Sequence, residues 1–90
     1  MEEVVKIIRR YLSDDYKIYL FGSWAKGDAI DTSDLDIGIS GKEKISLELM
    51  SRILNDMQGI PTLRKIDVVD FLTVGEEFRN NALKHAKILS

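Results

Sequence analysis

The sequence predicts an α/β or α+β domain, a small sheet flanked by helices. Three observations lead there. Apolar residues recur at helical spacing in three separate stretches. Three short runs are rich in β-branched and aromatic residues. The two kinds of segment alternate along the chain, the pattern of helices packed on a sheet.

In order, Val4, Ile8, Tyr11 and Leu12 repeat at helical spacing, with Lys6, Arg9 and Arg10 on other faces. This predicts an amphipathic opening helix that Asp14-Asp15 ends. Residues 18–21 are apolar and aromatic and predict a strand, broken by Gly22-Ser23. Residues 34–40 alternate: Leu35, Ile37 and Ile39 face one way, Asp34, Asp36 and Gly38 the other. That is a strand with an acidic face, closed by Gly41. Leu49, Met50, Ile53, Leu54 and Met57 predict a second amphipathic helix, ended by Gly59 and Pro61. Residues 66–72 predict a third strand. Phe78, Ala82, Ala86 and Leu89 predict a closing helix. Periodicity gives neither the order nor the direction of the strands.

The 90 residues are read as one domain, 1–90. A chain of this length buries roughly 60–65% of the surface its unfolded form exposes, so its core is limited. Thirteen basic against fifteen acidic residues leave a net charge of -2, which argues against a broad nucleic-acid footprint. The absence of cysteine excludes disulfides and thiolate metal sites and is compatible with the cytoplasm. No apolar run approaches the ~20 residues of a membrane span. Met1-Glu2-Glu3 is acidic, unlike a secretory signal.

The chemistry is carried by Asp34, Asp36 and Asp67. On a strand, residues i and i+2 share a face, about 6–7 Å apart at Cα. Two carboxylates so placed repel each other unless a cation lies between them. Magnesium prefers oxygen ligands and suits a carboxylate pair together with substrate phosphates. A third carboxylate on a neighbouring strand completes a site for two metal ions. Asp67 is the candidate, as metal ligand or as acceptor of a hydroxyl proton. Asp70 competes with it but falls on the opposite face of a regular strand. A pair of solvated aspartates is the plainer alternative, although aspartate is disfavoured in strands.

The turn Gly22-Ser23-Trp24-Ala25-Lys26-Gly27 follows a strand directly. Gly22 lets a phosphate approach the backbone. Ser23 offers a hydroxyl, and Lys26 a point charge. A helix opening here adds free N–H groups that favour an anion. The spacing is not that of a Walker A loop. Most strand-to-Gly-Ser turns only reverse the chain; it is the combination with the acids that supplies both halves of a metal–triphosphate site.

Phe21-Gly22-Ser23-Trp24-Ala25-Lys26-Gly27, followed by Ser33-Asp34-Leu35-Asp36-Ile37, resembles the signature of the nucleotidyltransferase superfamily shared with DNA polymerase beta. The chain is most similar to its minimal nucleotidyltransferases. Ile66-Asp67-Val68-Val69-Asp70 resembles the strand that carries the family's third carboxylate. The resemblance implies a small mixed sheet flanked by helices, like the palm of polymerase beta. It implies two Mg2+ ions held by Asp34, Asp36 and Asp67, with Gly22, Ser23 and Lys26 binding the triphosphate of ATP. It further implies a HEPN-type helical partner in a toxin–antitoxin pair, with AMP moved to a tyrosine of the toxin. The alternative is a non-catalytic antitoxin that neutralises its partner by contact. Many relatives carry arginine directly after Gly-Ser and again two positions on, where this chain has Trp24 and Lys26. A lysine cannot replace the bidentate contacts of a guanidinium.

The remaining candidates favour plain roles. Trp24 and the tyrosines 11, 16 and 19 are expected to pack. His85 is expected on the closing helix, solvated or packing. Lys6, Arg9 and Arg10 are expected on a solvated face. A chain this small is expected to present an open site, with a partner or a second copy of itself supplying the acceptor.

Overall fold

The computed structural model describes residues 1–27, 34–62 and 64–90. Eight elements follow along the chain: α1 (Glu2–Arg9), β1 (Lys17–Phe21), α2 (Ser23–Lys26), β2 (Leu35–Ser40), α3 (Leu47–Met57), β3 (Ile66–Asp70), α4 (Glu76–Leu83) and β4 (Lys87–Ile88). The sheet order is β3-β2-β1-β4. β1 runs antiparallel to both β2 and β4, whereas β2 and β3 are parallel. The sheet is therefore mixed, and the fold is α+β with helices flanking it.

Strand register divides the side chains between two faces. Ile18 pairs with Ile39 and Leu20 with Ile37. Directly paired residues share a face, and here they meet α1 and α3. Val4, Ile7, Ile8 and Leu12 from one side and Ile53 and Met57 from the other enclose Ile18, Ile37 and Ile39. Each fully buried side chain of this size contributes about 1.5–3 kcal/mol over an exposed one. Ile8, Ile18, Ile37, Ile39 and Ile53 are all fully buried, so this layer carries most of the stability.

The other face holds a smaller aromatic cluster. Tyr19 pairs with Gly38 and Phe21 with Asp36. Phe71, directly after β3, folds onto this face; a Cβ at Gly38 would overlap its ring. The Phe71 ring lies 5.4 Å from Phe21 and 6.1 Å from Tyr19, centroid to centroid. Phe78 of α4 meets Phe21 edge-on at 6.2 Å, a favoured arrangement for aromatic pairs.

The structure corrects several boundaries. The opening helix ends at Arg9, with Arg10 as its cap, before Tyr11 and Leu12. The third strand ends at Asp70. The closing helix stops at Leu83, and Ala86 and Leu89 lie outside it. Lys87–Ile88 instead makes a fourth strand, with Ile88 opposite Tyr19. Its two residues are too few to show an alternating pattern, which explains why periodicity misses it.

Arg9 is not simply solvated. Its guanidinium donates to the Ser13 and Tyr16 carbonyls and to Ser90 Oγ, joining the end of α1 to the turn before β1 and to the chain's last residue. Tyr11 packs as expected and donates to Asp56 Oδ2 of α3 at 2.6 Å.

Candidate active site

Two strand pairings assemble the site. In β2, Asp36 stands opposite Phe21 of antiparallel β1 and beside Asp67 of parallel β3. Adjacent partners share a face, so the Asp36 and Asp67 carboxylates project from the same side. Asp34 lies immediately before β2 and is exposed. Burial pushes the Asp36 carboxyl above its usual value, and the charges of Asp67 and then Asp34 raise it further. That is the behaviour of a carboxylate lacking a counter-charge. Lys65 Nζ lies 3.6 Å from Asp67 Oδ1 and offsets part of it at the rim.

Asp70 does other work. It is buried on the opposite face, where its Oδ2 accepts from the Ile45 N–H at 2.7 Å and its Oδ1 from the Leu72 N–H at 3.0 Å. It ties the loop before α3 to the end of β3. It lies three positions along the strand from Asp67, an odd offset, which is why the two acids face apart.

The donor set suits a hard divalent cation. Among the described residues, no three carboxylate or imidazole side chains close into a metal-binding group. Magnesium does not need one, because it keeps water and phosphate oxygens and takes only one or two carboxylates. Asp36 and Asp67 provide such a pair, with Asp34 at its edge, and the raised Asp36 carboxyl marks where positive charge would be favourable.

The turn after β1 comes against these acids. Gly22 has φ 73° and ψ −150°, a conformation that L side chains rarely adopt. A Cβ there would overlap Asp36 Oδ2 and lie 3.1 Å from its Cγ. The bare backbone at Gly22 is thus what allows the Asp36 carboxylate its position. Gly27, at φ 84°, ends α2 in the left-handed conformation. Ser23 and Lys26 are exposed on α2. With four residues α2 is a single turn, so little helix dipole accumulates.

Sequence reasoning passed over Arg64. Its guanidinium stacks over the Trp24 ring at 4.7 Å, a cation–π contact that supports the packing role of Trp24. Its buried Nε has no hydrogen-bond partner among the described residues. A guanidinium thus lies beside the turn, drawn from the loop before β3; forty residues of separation hide it from any local pattern.

A cleft of about 200 Å³ opens beside Gly22, between α2 and α4. Lys26, Asn81 and His85 line it. His85 lies beyond α4 and is exposed.

Comparison with known proteins agrees with this fold. The polymerase beta nucleotidyltransferase family model matches residues 2–90. The chain is 33% identical over 76 residues to the probable protein adenylyltransferase MntA of Haemophilus influenzae, covering 84% of this chain and 67% of that one. Its fold matches a toxin–antitoxin crystal structure with AMP-PNP at TM-score 0.74 and 22% identity, over 99% of this chain and 71% of the other. It also matches a complex of a tri-AMPylated Shewanella oneidensis HEPN toxin with an MNT antitoxin, at TM-score 0.67 and 19% identity, over 99% and 67% of the two chains. No helix among the described residues is long and apolar enough to cross a membrane. With the family model spanning nearly the whole chain and the strand register setting its acids side by side, this protein belongs to the polymerase beta nucleotidyltransferase family.

Proposed function

We propose that this protein transfers AMP from ATP to a tyrosine hydroxyl of a HEPN-type toxin and so acts as its antitoxin. The observation that carries the reading is the pairing of Asp36 with Asp67 on one sheet face, with the side-chain-free Gly22 against Asp36. The likeness to MntA and to the HEPN–MNT complex points to the acceptor.

In this reading Asp34, Asp36 and Asp67 hold Mg2+, with two ions when ATP is bound, and Gly22, Ser23 and Lys26 bind the triphosphate. Bound magnesium supplies positive charge that favours the ionised hydroxyl and the departing pyrophosphate. The tyrosine oxygen attacks the α-phosphorus. A new P–O bond forms as the bond to the bridging oxygen breaks, and pyrophosphate leaves. The Asp67 carboxylate accepts the hydroxyl proton, a general-base role suited to its place at the rim. The site is open, so the toxin itself completes it and excludes water. A cysteine-free chain acting on such a partner belongs in the cytoplasm.

The test is transfer of label from α-labelled ATP and magnesium to a HEPN-type partner. The expected result is labelled toxin with the wild type and none with Asp34→Asn/Asp36→Asn. Neutralisation of the toxin by the double variant, with no label in either case, would show that contact alone is the activity.

A further inference from the structure

β3 is an outer strand of the sheet, and it carries Asp67. Among the described residues it pairs with β2 alone. Parallel pairing sends alternate residues toward the neighbouring strand. Two bonds fix which ones. The Leu35 N–H donates to the Lys65 carbonyl at 2.8 Å, and the Phe71 N–H to the Ile39 carbonyl at 2.9 Å. Residues 65, 67, 69 and 71 therefore turn their backbone groups toward β2. The N–H and C=O groups of Ile66 and Val68 point the other way, along the outer edge. A row of backbone groups so placed is a template for a further strand.

The two faces beside that edge differ. Ile66 and Val68 share the face of Leu35 and Ile37 and pack against the core that α3 covers. On this side a groove of about 450 Å³ lies between the end of α3 and the start of β3. Leu54, Met57 and Ile60 give it an apolar wall, and Arg64 and Lys65 line it as well. Asp67 borders the groove, but its side chain shares the opposite face with Asp36. A strand added to β3 alternates between the same two faces. Its residues beside Ile66 and Val68 turn to the groove. A residue beside Asp67 stands on the acid face, about one strand spacing, ~4.8 Å, away. A tyrosine there extends its hydroxyl across Asp67. The two cations complement a carboxylate in the same segment; the Lys65 side chain, 72% exposed, is open to one.

We propose that the outer edge of β3 and the groove beside it dock the acceptor segment of the protein substrate. That segment is extended, with apolar residues on one face, the tyrosine on the other and an acidic residue toward Arg64 and Lys65. This rests on the transferase reading above and deepens it, because it says how the acceptor is held. Backbone hydrogen bonds to Ile66 and Val68 set the register, and the groove takes the apolar side chains. Register then selects the modified residue, since a slip by one position turns the tyrosine away from the acids. Other residues hold the nucleotide, so acceptor docking and nucleotide binding are separable.

The experiment compares wild type with Val68→Pro and Leu54→Glu. Val68→Pro removes an edge N–H that β2 does not use, a change that edge strands tolerate. Leu54 is exposed, so Leu54→Glu puts a charge in the groove without disturbing the core, and it serves alone should Val68→Pro fail to fold. Thermal unfolding reports the fold of each. Transfer is then followed with α-labelled ATP, magnesium and a HEPN-type toxin. The KM for the toxin should rise on the order of tenfold in each folded variant, the effect of a lost hydrogen bond or an unpaired charge. The KM for ATP should stay at the wild-type value. An unchanged KM for the toxin in either folded variant, or an equal rise for toxin and ATP, overturns the proposal and leaves the enzyme reading intact. A dimeric wild type beside a monomeric Val68→Pro variant in sedimentation gives the edge to a second copy and overturns the proposal as well. A wild type that puts no label on the toxin overturns both readings.

Discussion

Gly22 and Asp36 occupy one another's space: the backbone of the first lies where only a hydrogen fits beside the carboxylate of the second. The contact joins the end of β1 to the middle of the acidic face. Gly22 also holds a backbone conformation with φ 73° that other residues enter at a cost. Gly22→Ala is expected to lose roughly 1–3 kcal/mol of stability through backbone strain and to displace Asp36. Thermal unfolding should show the first effect. Label transfer, measured well below the melting temperature, should show the second as a drop of at least about tenfold, the equivalent of 1.4 kcal/mol.

The raised Asp36 carboxyl makes a signed prediction about pH. A carboxyl whose folded value lies above its unfolded value binds its proton more readily in the folded state. Its contribution therefore falls as pH rises from the ordinary aspartate value, about 3.9, through the folded one. Asp36→Asn should remove this loss. The melting temperature of Asp36→Asn minus that of wild type, measured in a chelator, should grow across that window and level off above it. Saturating Mg2+ should shrink the difference by stabilising only the wild type. A difference that stays flat with pH would place the repulsion elsewhere.

Asp67 and Asp70 should separate cleanly by two assays. Asp67→Asn is expected to abolish transfer with little change in stability, because its carboxylate is partly exposed and pairs with Lys65 at the rim. Asp70→Ala should cost about 2–3 kcal/mol, since it strands two backbone N–H groups that now donate to a charged acceptor. Its transfer rate per folded molecule should remain close to wild type. Denaturant unfolding alongside label transfer checks both, and the reverse pattern would exchange the roles of the two acids.

Gly38→Ala tests the aromatic layer behind the site. The added methyl would meet the Phe71 ring, which is fully buried and held by Phe21 and Tyr19. Overpacking of this kind costs about 1–3 kcal/mol. Because Phe21 also faces Phe78, the strain should reach α4 and appear as faster amide exchange there than in α1, which packs on the opposite face.

The sequence by itself determined the features that depend on a few neighbouring residues. Alternation from Asp34 to Ile39 places Asp36 on the face opposite Ile37, because a strand repeats every two residues. The same parity sets Asp67 and Asp70 on opposite faces, as the buried hydrogen bonds of Asp70 and the partly exposed carboxylate of Asp67 both reflect. The Phe21-Gly22-Ser23 turn likewise stood out locally. Only the tertiary structure decided that β3 lies parallel to β2 with Asp67 beside Asp36, that residues 87–88 leave the helical pattern to pair with β1, and that Asn81 and His85 come to face Lys26. Each of these joins residues distant along the chain. Their placement follows from how the two sheet faces bury their side chains, Ile18, Ile37 and Ile39 under α1 and α3, and Phe21 and Phe71 with Phe78 of α4 against them, and no local period encodes that partition.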